Sequence, residues 1–459
     1  MNLTEILAEY AKDLTFDDIP ESVIEVQKQS LADALSCMAA ATSLFPEARA
    51  FTEYALSQCD TGSCTLLASK KKTIPALAAL ANGALIHALD YEDSHEKALV
   101  HPNSASTCAF LALIQASDRK ISGKELLTAL VLASDITCRL DLAVREDLLK
   151  YGWNMPPIHG SMGAVFGGGN LLGLTKEQIM DAVALDMSQA VSSGEASNSA
   201  RSVVRTVRDG FAAQAAVQSL LLARTGISAR FDQALEGKLG YYHAYARDNY
   251  DPETVVKELG RVFESEQISF KPWPSCRATH TAVEGLSKLI RDNHIRPEEI
   301  LEIHLVMQEI GRMVFEPADV KYRPASAAIA KFSMPFIIGA LVTDGRIDLS
   351  TFEEKRFTDP AVLHIADKVT FEIDESLTKA QNKYTRIAVK TTRGEYTATA
   401  DKPLGCRENP LSKEDLLEKF ENCFAASVRG YGADHIRGIF DLVMNLEKCG
   451  DAAELPALL

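Results

Sequence analysis

A change of hydrophobic period constrains this chain more than any other feature. From the N-terminus to about residue 235 apolar residues recur at helical spacing, after about residue 265 they alternate, and from Ser412 to Leu446 the helical period returns. Two ends sharing a period that the middle lacks predict a mainly α protein. Its large all-helical domain is formed by both termini, residues 1–265 and 401–459, around an inserted smaller α/β domain at 266–400. At 459 residues the chain is too long for one ordinary core, which agrees with this division.

Local signals support the same outline. Ser122-Gly-Lys-Glu125 and Thr175-Lys-Glu-Gln178 fit the capping box, and each precedes a long Ala/Leu-rich run. Ala-rich helices pack with close axes, so a helical bundle is expected there. In the middle, Ile300 to Val306 and Val369 to Ile373 read as strands, and Arg386 to Ala400 as a hairpin turning near Gly394. Thr281 to Asp292 and Lys331 to Val342 read as helices between them.

Charge and composition exclude some functions. A formal charge of -15 repels a phosphate backbone or an anionic membrane, so nucleic acid is not an expected partner. The longest apolar stretch, Ile74 to Leu89, is broken by Asn82 and His87 and is too short to span a membrane. The acidic start MNLTEILAEYAKDL lacks the positive charge of a signal peptide, so a cytoplasmic protein is expected. Nine cysteines without CxxC pairs fit reduced thiols. A small anionic substrate would need a local cluster of Arg, Lys and His.

Four segments carry residues of that kind. Asp90-Tyr-Glu92-Asp93-Ser94-His95-Glu96, followed by His101-Pro102, concentrates carboxylates and imidazoles in a loop, where His serves as acid or base and Asp fixes its tautomer; a solvated acidic loop is the alternative. The spacing fits neither HExxH nor an EF-hand loop, so no metal is expected. Gly152 to Gly163 holds Asn154 and His159, the latter structural or functional, and continues into Gly167 to Gly169. These last glycines miss GxGxxG and read as small residues at a helix contact. Arg201, Arg205 and Arg208 share one helical face, either a solvated basic stripe or forks for a carboxylate. Phe270 to His280 delivers Lys271, Arg277 and His280 on a Pro-bracketed extended segment before a helix, a binding element or a hinge.

In this order the four segments resemble the MmgE/PrpD family. Asn82-Gly83 before His87-Ala-Leu-Asp90, Gly210-Phe-Ala-Ala213, Ala330-Lys-Phe-Ser333 and Asn409-Pro-Leu-Ser412 extend the resemblance over nearly the whole chain. It implies an α/β lid on a helical domain, a homodimer, no cofactor, and a cleft containing Asp90, Ser94, His101 and Lys271. It further implies a proton removed beside a carboxylate of a small di- or tricarboxylate such as 2-methylcitrate or cis-aconitate, followed by dehydration or decarboxylation. Epimerisation of a dicarboxylate such as iminodisuccinate is the alternative, and a carboxylate-binding pseudoenzyme a further one. On this reading His101, Lys271, Asp90 and His159 are catalytic. Ser94, His95, Asn154, Arg205, Arg208, Arg277 and His280 bind substrate. Three positions depart from the family pattern: Asn154 stands where a His follows Trp, and Arg205 and Arg208 stand for a Lys and a His. Arginine binds a carboxylate but does not readily act as a base.

Overall fold

The computed structural model describes residues 1–199, 202–378 and 381–459. Two compact units are present, one made of Met1–Ser269 with Ser412–Leu459 and the other of Phe270–Leu411. Residues 401–411 stay with the second unit because its start holds them: the Phe270 amide donates to the Gly405 carbonyl at 3.0 Å, Arg277 Nη1 to the Leu404 carbonyl at 2.8 Å, and the Leu404 amide to Glu284 at 2.8 Å. The helical period resumes at Ser412, whose hydroxyl caps Lys413–Ala425.

The first unit is helical. Ser122 and Thr175 form reciprocal capping boxes with Glu125 and Gln178 at the heads of Gly123–Leu142 and Lys176–Met187. Met155–Leu171 lies flush on Gly123–Leu142, where a Cβ added to Gly163 would stand 2.5 Å from the Ala133 carbonyl and one on Gly167 would strike the Ala129 carbonyl. The run Gly167 to Gly169 is thus helix interior at a contact, as the missed nucleotide spacing implies. A second close crossing joins Pro75–Ile86 to Val204–Arg224, where a Cβ on Gly83 would stand 2.6 Å from the Gly210 Cα. Such spacing needs glycine on both helices.

The second unit contains a four-stranded sheet ordered Val369–Ile373, Ile300–Met307, Thr385–Thr391, Gly394–Ala400. The first pair is parallel, with Ile303 opposite Val369, and the other two are antiparallel. Thr391 pairs with Gly394, so Thr392 and Arg393 make the hairpin turn at the expected place. His280–Asn293 and Met334–Asp344 supply the helices, and their apolar faces join Ile303, Leu305 and Ile387 in one core. All nine cysteines are free thiols. Among the described residues no helix is long and apolar enough to cross a membrane.

Candidate active site

The first unit places the acidic loop between two helices. Pro75–Ile86 ends at His87, and three residues later Asp90 adopts left-handed backbone, φ 50°, with its amide donating to the His87 carbonyl at 3.1 Å. Asp is among the few side chains that tolerate this conformation. The reversal brings Glu92 to His87, and one Glu92 oxygen, Oε1, lies 2.5 Å from His87 Nδ1 and 2.9 Å from His101 Nδ1. His101 precedes the Ser104–Ala116 helix, and its ring centroid is 4.6 Å from that of His87.

A carboxylate oxygen only accepts, so each imidazole presents Nδ1–H to Glu92; this tautomer is assigned from the hydrogen-bond network. His101 shares its Nδ1–H with the Asp93 carbonyl, also 2.9 Å away. Its Nε2 lone pair is left to take a proton. The side chains of His87 and Glu92 are 1% exposed and that of His101 is 15% exposed, which makes His101 the end of the trio that meets solvent. Burial pushes the His87 ring down to about 4; Glu92 opposes the shift and the Arg208 charge adds to it, so His87 is neutral at physiological pH.

Beneath the trio, Asp93 Oδ2 accepts from Asn103 Nδ2 at 2.8 Å and from Ser30 Oγ, and Asn103 Oδ1 accepts from Gln27 Nε2 at 2.8 Å. Burial raises the Asp93 carboxyl above its usual range, against these bonds. The network fixes the peptide whose carbonyl orients His101.

The donor atoms of His87, Glu92 and His101 lie within 4.8 Å of one another, so they are the described residues best placed to hold a divalent ion. Ion–ligand bonds of about 2.0–2.1 Å would hold tetrahedral donors roughly 3.3 Å apart. As the structure stands, the 2.5 and 2.9 Å separations are those of hydrogen bonds.

Arginines from the Val204–Arg224 helix approach this loop. Arg205, 28% exposed, has Nη1 at 4.0 Å from Asp90 Oδ2. Arg208 is 5% exposed, donates from Nη1 to Asn154 Oδ1 at 3.0 Å, and has Nε 3.5 Å from Asp209 Oδ2. Two of the three departures from the family pattern, Asn154 and Arg208, are therefore hydrogen-bonded to each other. Asn154 also donates to Ser192 Oγ at 3.1 Å. Arg201 lies outside the described residues.

The remaining candidates have other neighbours. Ser94 and His95 form a short antiparallel pair with Ile268–Ser269, with the Ser94 and Ser269 hydroxyls 3.2 Å apart. His95 Nδ1 accepts the Ala98 amide at 2.8 Å, and its Nε2 is 3.7 Å from Glu264, so this ring fastens the loop. His159 is fully buried, 3.3 Å from Asp141 and beside the Tyr241 ring. In the second unit Lys271 is buried on the extended segment, Arg277 donates to the Pro403 and Leu404 carbonyls, and His280 contacts Ser275 and the Trp273 ring.

Sequence reasoning left out His87 and Glu92 as partners of His101. Five residues apart, they face each other only because the chain reverses at Asp90; an Asp three residues past a helix-ending His was the available signal.

Comparison with known proteins decides the family. The MmgE/PrpD N-terminal domain matches residues 5–253 and the MmgE/PrpD C-terminal domain residues 273–444. The chain belongs to the MmgE/PrpD family. Its curated relatives include "Cis-aconitate decarboxylase" of Aspergillus terreus, 27% identical over 480 residues covering 100% of this chain and 96% of that one. Proteins of the same name from Homo sapiens, 26% identical over 472 residues, and Mus musculus, 25% identical over 472 residues, also align with 100% of this chain and with 94% and 93% of their own lengths. As an MmgE/PrpD member with decarboxylases among its full-length relatives, the chain is, at the coarsest level, a lyase.

Proposed function

We propose that this lyase acts on a small di- or tricarboxylate, of which cis-aconitate is the first to test, with His101 moving the proton and Arg205 anchoring a carboxylate. The observation that carries the reading is the Glu92 bond to His101 Nδ1, which leaves Nε2 of a partly exposed ring as the proton-exchanging atom. In decarboxylation, the carbon–carbon bond breaks, carbon dioxide leaves, and the electron pair remaining on carbon takes a proton from protonated Nε2. In dehydration, the Nε2 lone pair removes the proton beside a carboxylate and hydroxide departs. In both, Glu92 accepts from Nδ1–H throughout and stabilises the imidazolium. Full-length relatives named as decarboxylases favour the first course.

Arg205 suits the anchoring role because guanidinium keeps its charge and matches a carboxylate with two parallel bonds. Arg208, buried against Asn154 and Asp209, adds positive potential from behind. The test is incubation with cis-aconitate, citrate, 2-methylcitrate and iminodisuccinate in deuterated water, followed by mass spectrometry. Loss of carbon dioxide with one deuteron gained supports the reading, and loss of water supports its dehydratase form. Exchange without loss of mass would make the protein an epimerase, and binding without any change would make it a pseudoenzyme.

A further inference from the structure

The C-terminal return of the chain reaches the loop that carries the site. Lys419, on the Lys413–Ala425 helix, donates from Nζ to the Tyr91 carbonyl at 2.7 Å and lies 3.7 Å from the centroid of the Tyr91 ring. Its Nζ is also 2.5 Å from Oδ1 of Asp33 on the Glu21–Leu44 helix. All three residues are buried. Tyr91 stands between Asp90, whose left-handed backbone Asp tolerates better than most residues but still at a cost, and Glu92, whose oxygen holds both imidazoles. Even for Asp this conformation costs more than the right-handed one, so contacts that hold the neighbouring residues help to keep it. A buried ammonium bonded to the next carbonyl and seated on the next ring is an enforcing contact of that kind.

We propose that Lys419 is a positioning residue, which clamps Tyr91 from the C-terminal helix and so holds the Asp90 reversal that sets Glu92 against His101. Asp33 orients the ammonium and balances its charge. The consequence for turnover rests on the proposed role of His101; the clamp itself does not.

The test uses the full chain with Asp33→Asn and Lys419→Met combined, because removing the lysine alone strands a buried carboxylate and risks unfolding. Hydrogen exchange followed by mass spectrometry is the first readout. Amides in peptides covering 88–95 are expected to exchange about 10–100-fold faster, the factor for losing a hydrogen bond to a charged group, with the Met155–Leu171 helix unchanged. The second readout is kinetic: kcat lower by about 10–100-fold, KM within about threefold, and partial recovery in Lys419→Arg. Exchange at 88–95 within twofold of the parent would overturn the clamp whatever the activity, as would a rise spread evenly over the chain. Faster exchange confined to 88–95 supports the clamp even if none of the tested acids turns over, a result that would count against the proposed function alone.

Discussion

Glu92→Gln tests the core of the site with the smallest change of shape. The variant keeps an acceptor oxygen where Oε1 meets His101 Nδ1 at 2.9 Å and His87 Nδ1 at 2.5 Å, but the negative charge is gone. Glu92 is 1% exposed, so solvent does little to screen what is lost. A hydrogen bond to a charged group contributes about 1.5–3 kcal/mol and one between neutral groups about 0.5–1.5 kcal/mol. The bond to His101 matters most when the ring is positive, and its loss should cost the transition state roughly 1–2 kcal/mol. At about 1.4 kcal/mol per factor of ten, kcat should fall roughly 5–30-fold. Steady-state kinetics on the acid identified by the screen measures this, with a thermal melt to verify folding. A kcat within twofold of the parent in a folded variant would refute the idea that Glu92 supports charge on His101, leaving it only a structural acceptor.

Arg205→Lys should raise KM more than it lowers kcat, since one of two parallel carboxylate bonds is lost while the proton-moving groups stay; a several-fold gain in kcat at constant KM would instead make this position a proton-transfer site. Folding stability should depend on His87, whose folded ring takes a proton only near pH 4, against about 6.5 when unfolded. The unfolded chain binds more protons between these values, so the contribution is intact above about pH 6.5 and is lost as pH falls toward 4, up to roughly 3 kcal/mol. Asp186, raised by burial to about 7, works with the opposite sign, so the measurement is the urea-midpoint difference between parent and His87→Gln from pH 7.5 to 4.5, and a pH-independent difference would contradict it. Exhaustive chelation should leave activity unchanged, because the acidic loop carries no recognised metal-ligand spacing; loss restored by one divalent ion would reverse that conclusion.

Periodicity made the helices and strands legible, since it records which face each element buries. The boxes at Ser122 and Thr175 were readable because capping depends on residues three apart, and the Gly394 hairpin because its turn is local. The site was legible in part. His101 stood out in a loop rich in carboxylates, yet its tie to His87 through Glu92 depends on the backbone at Asp90, which no spacing rule encodes. Arg205 and Arg208 looked equivalent on one face, but packing leaves the first 28% exposed and buries the second against Asn154. Lys419 lies more than 300 positions from Tyr91, and only tertiary folding joins them.

The crossing at Gly83 and Gly210 sets more than a packing distance. Four residues beyond Gly83 the first helix ends at His87, and two to five residues before Gly210 the second carries Arg208 and Arg205. The separation of the two backbones therefore acts as a gauge for the 4.0 Å between Arg205 and Asp90. A single methyl group at either glycine would prise the helices apart and dilute the positive field over the acidic loop without altering any charged side chain. The placement of that guanidinium over the loop is thus set from two positions that carry no side chain.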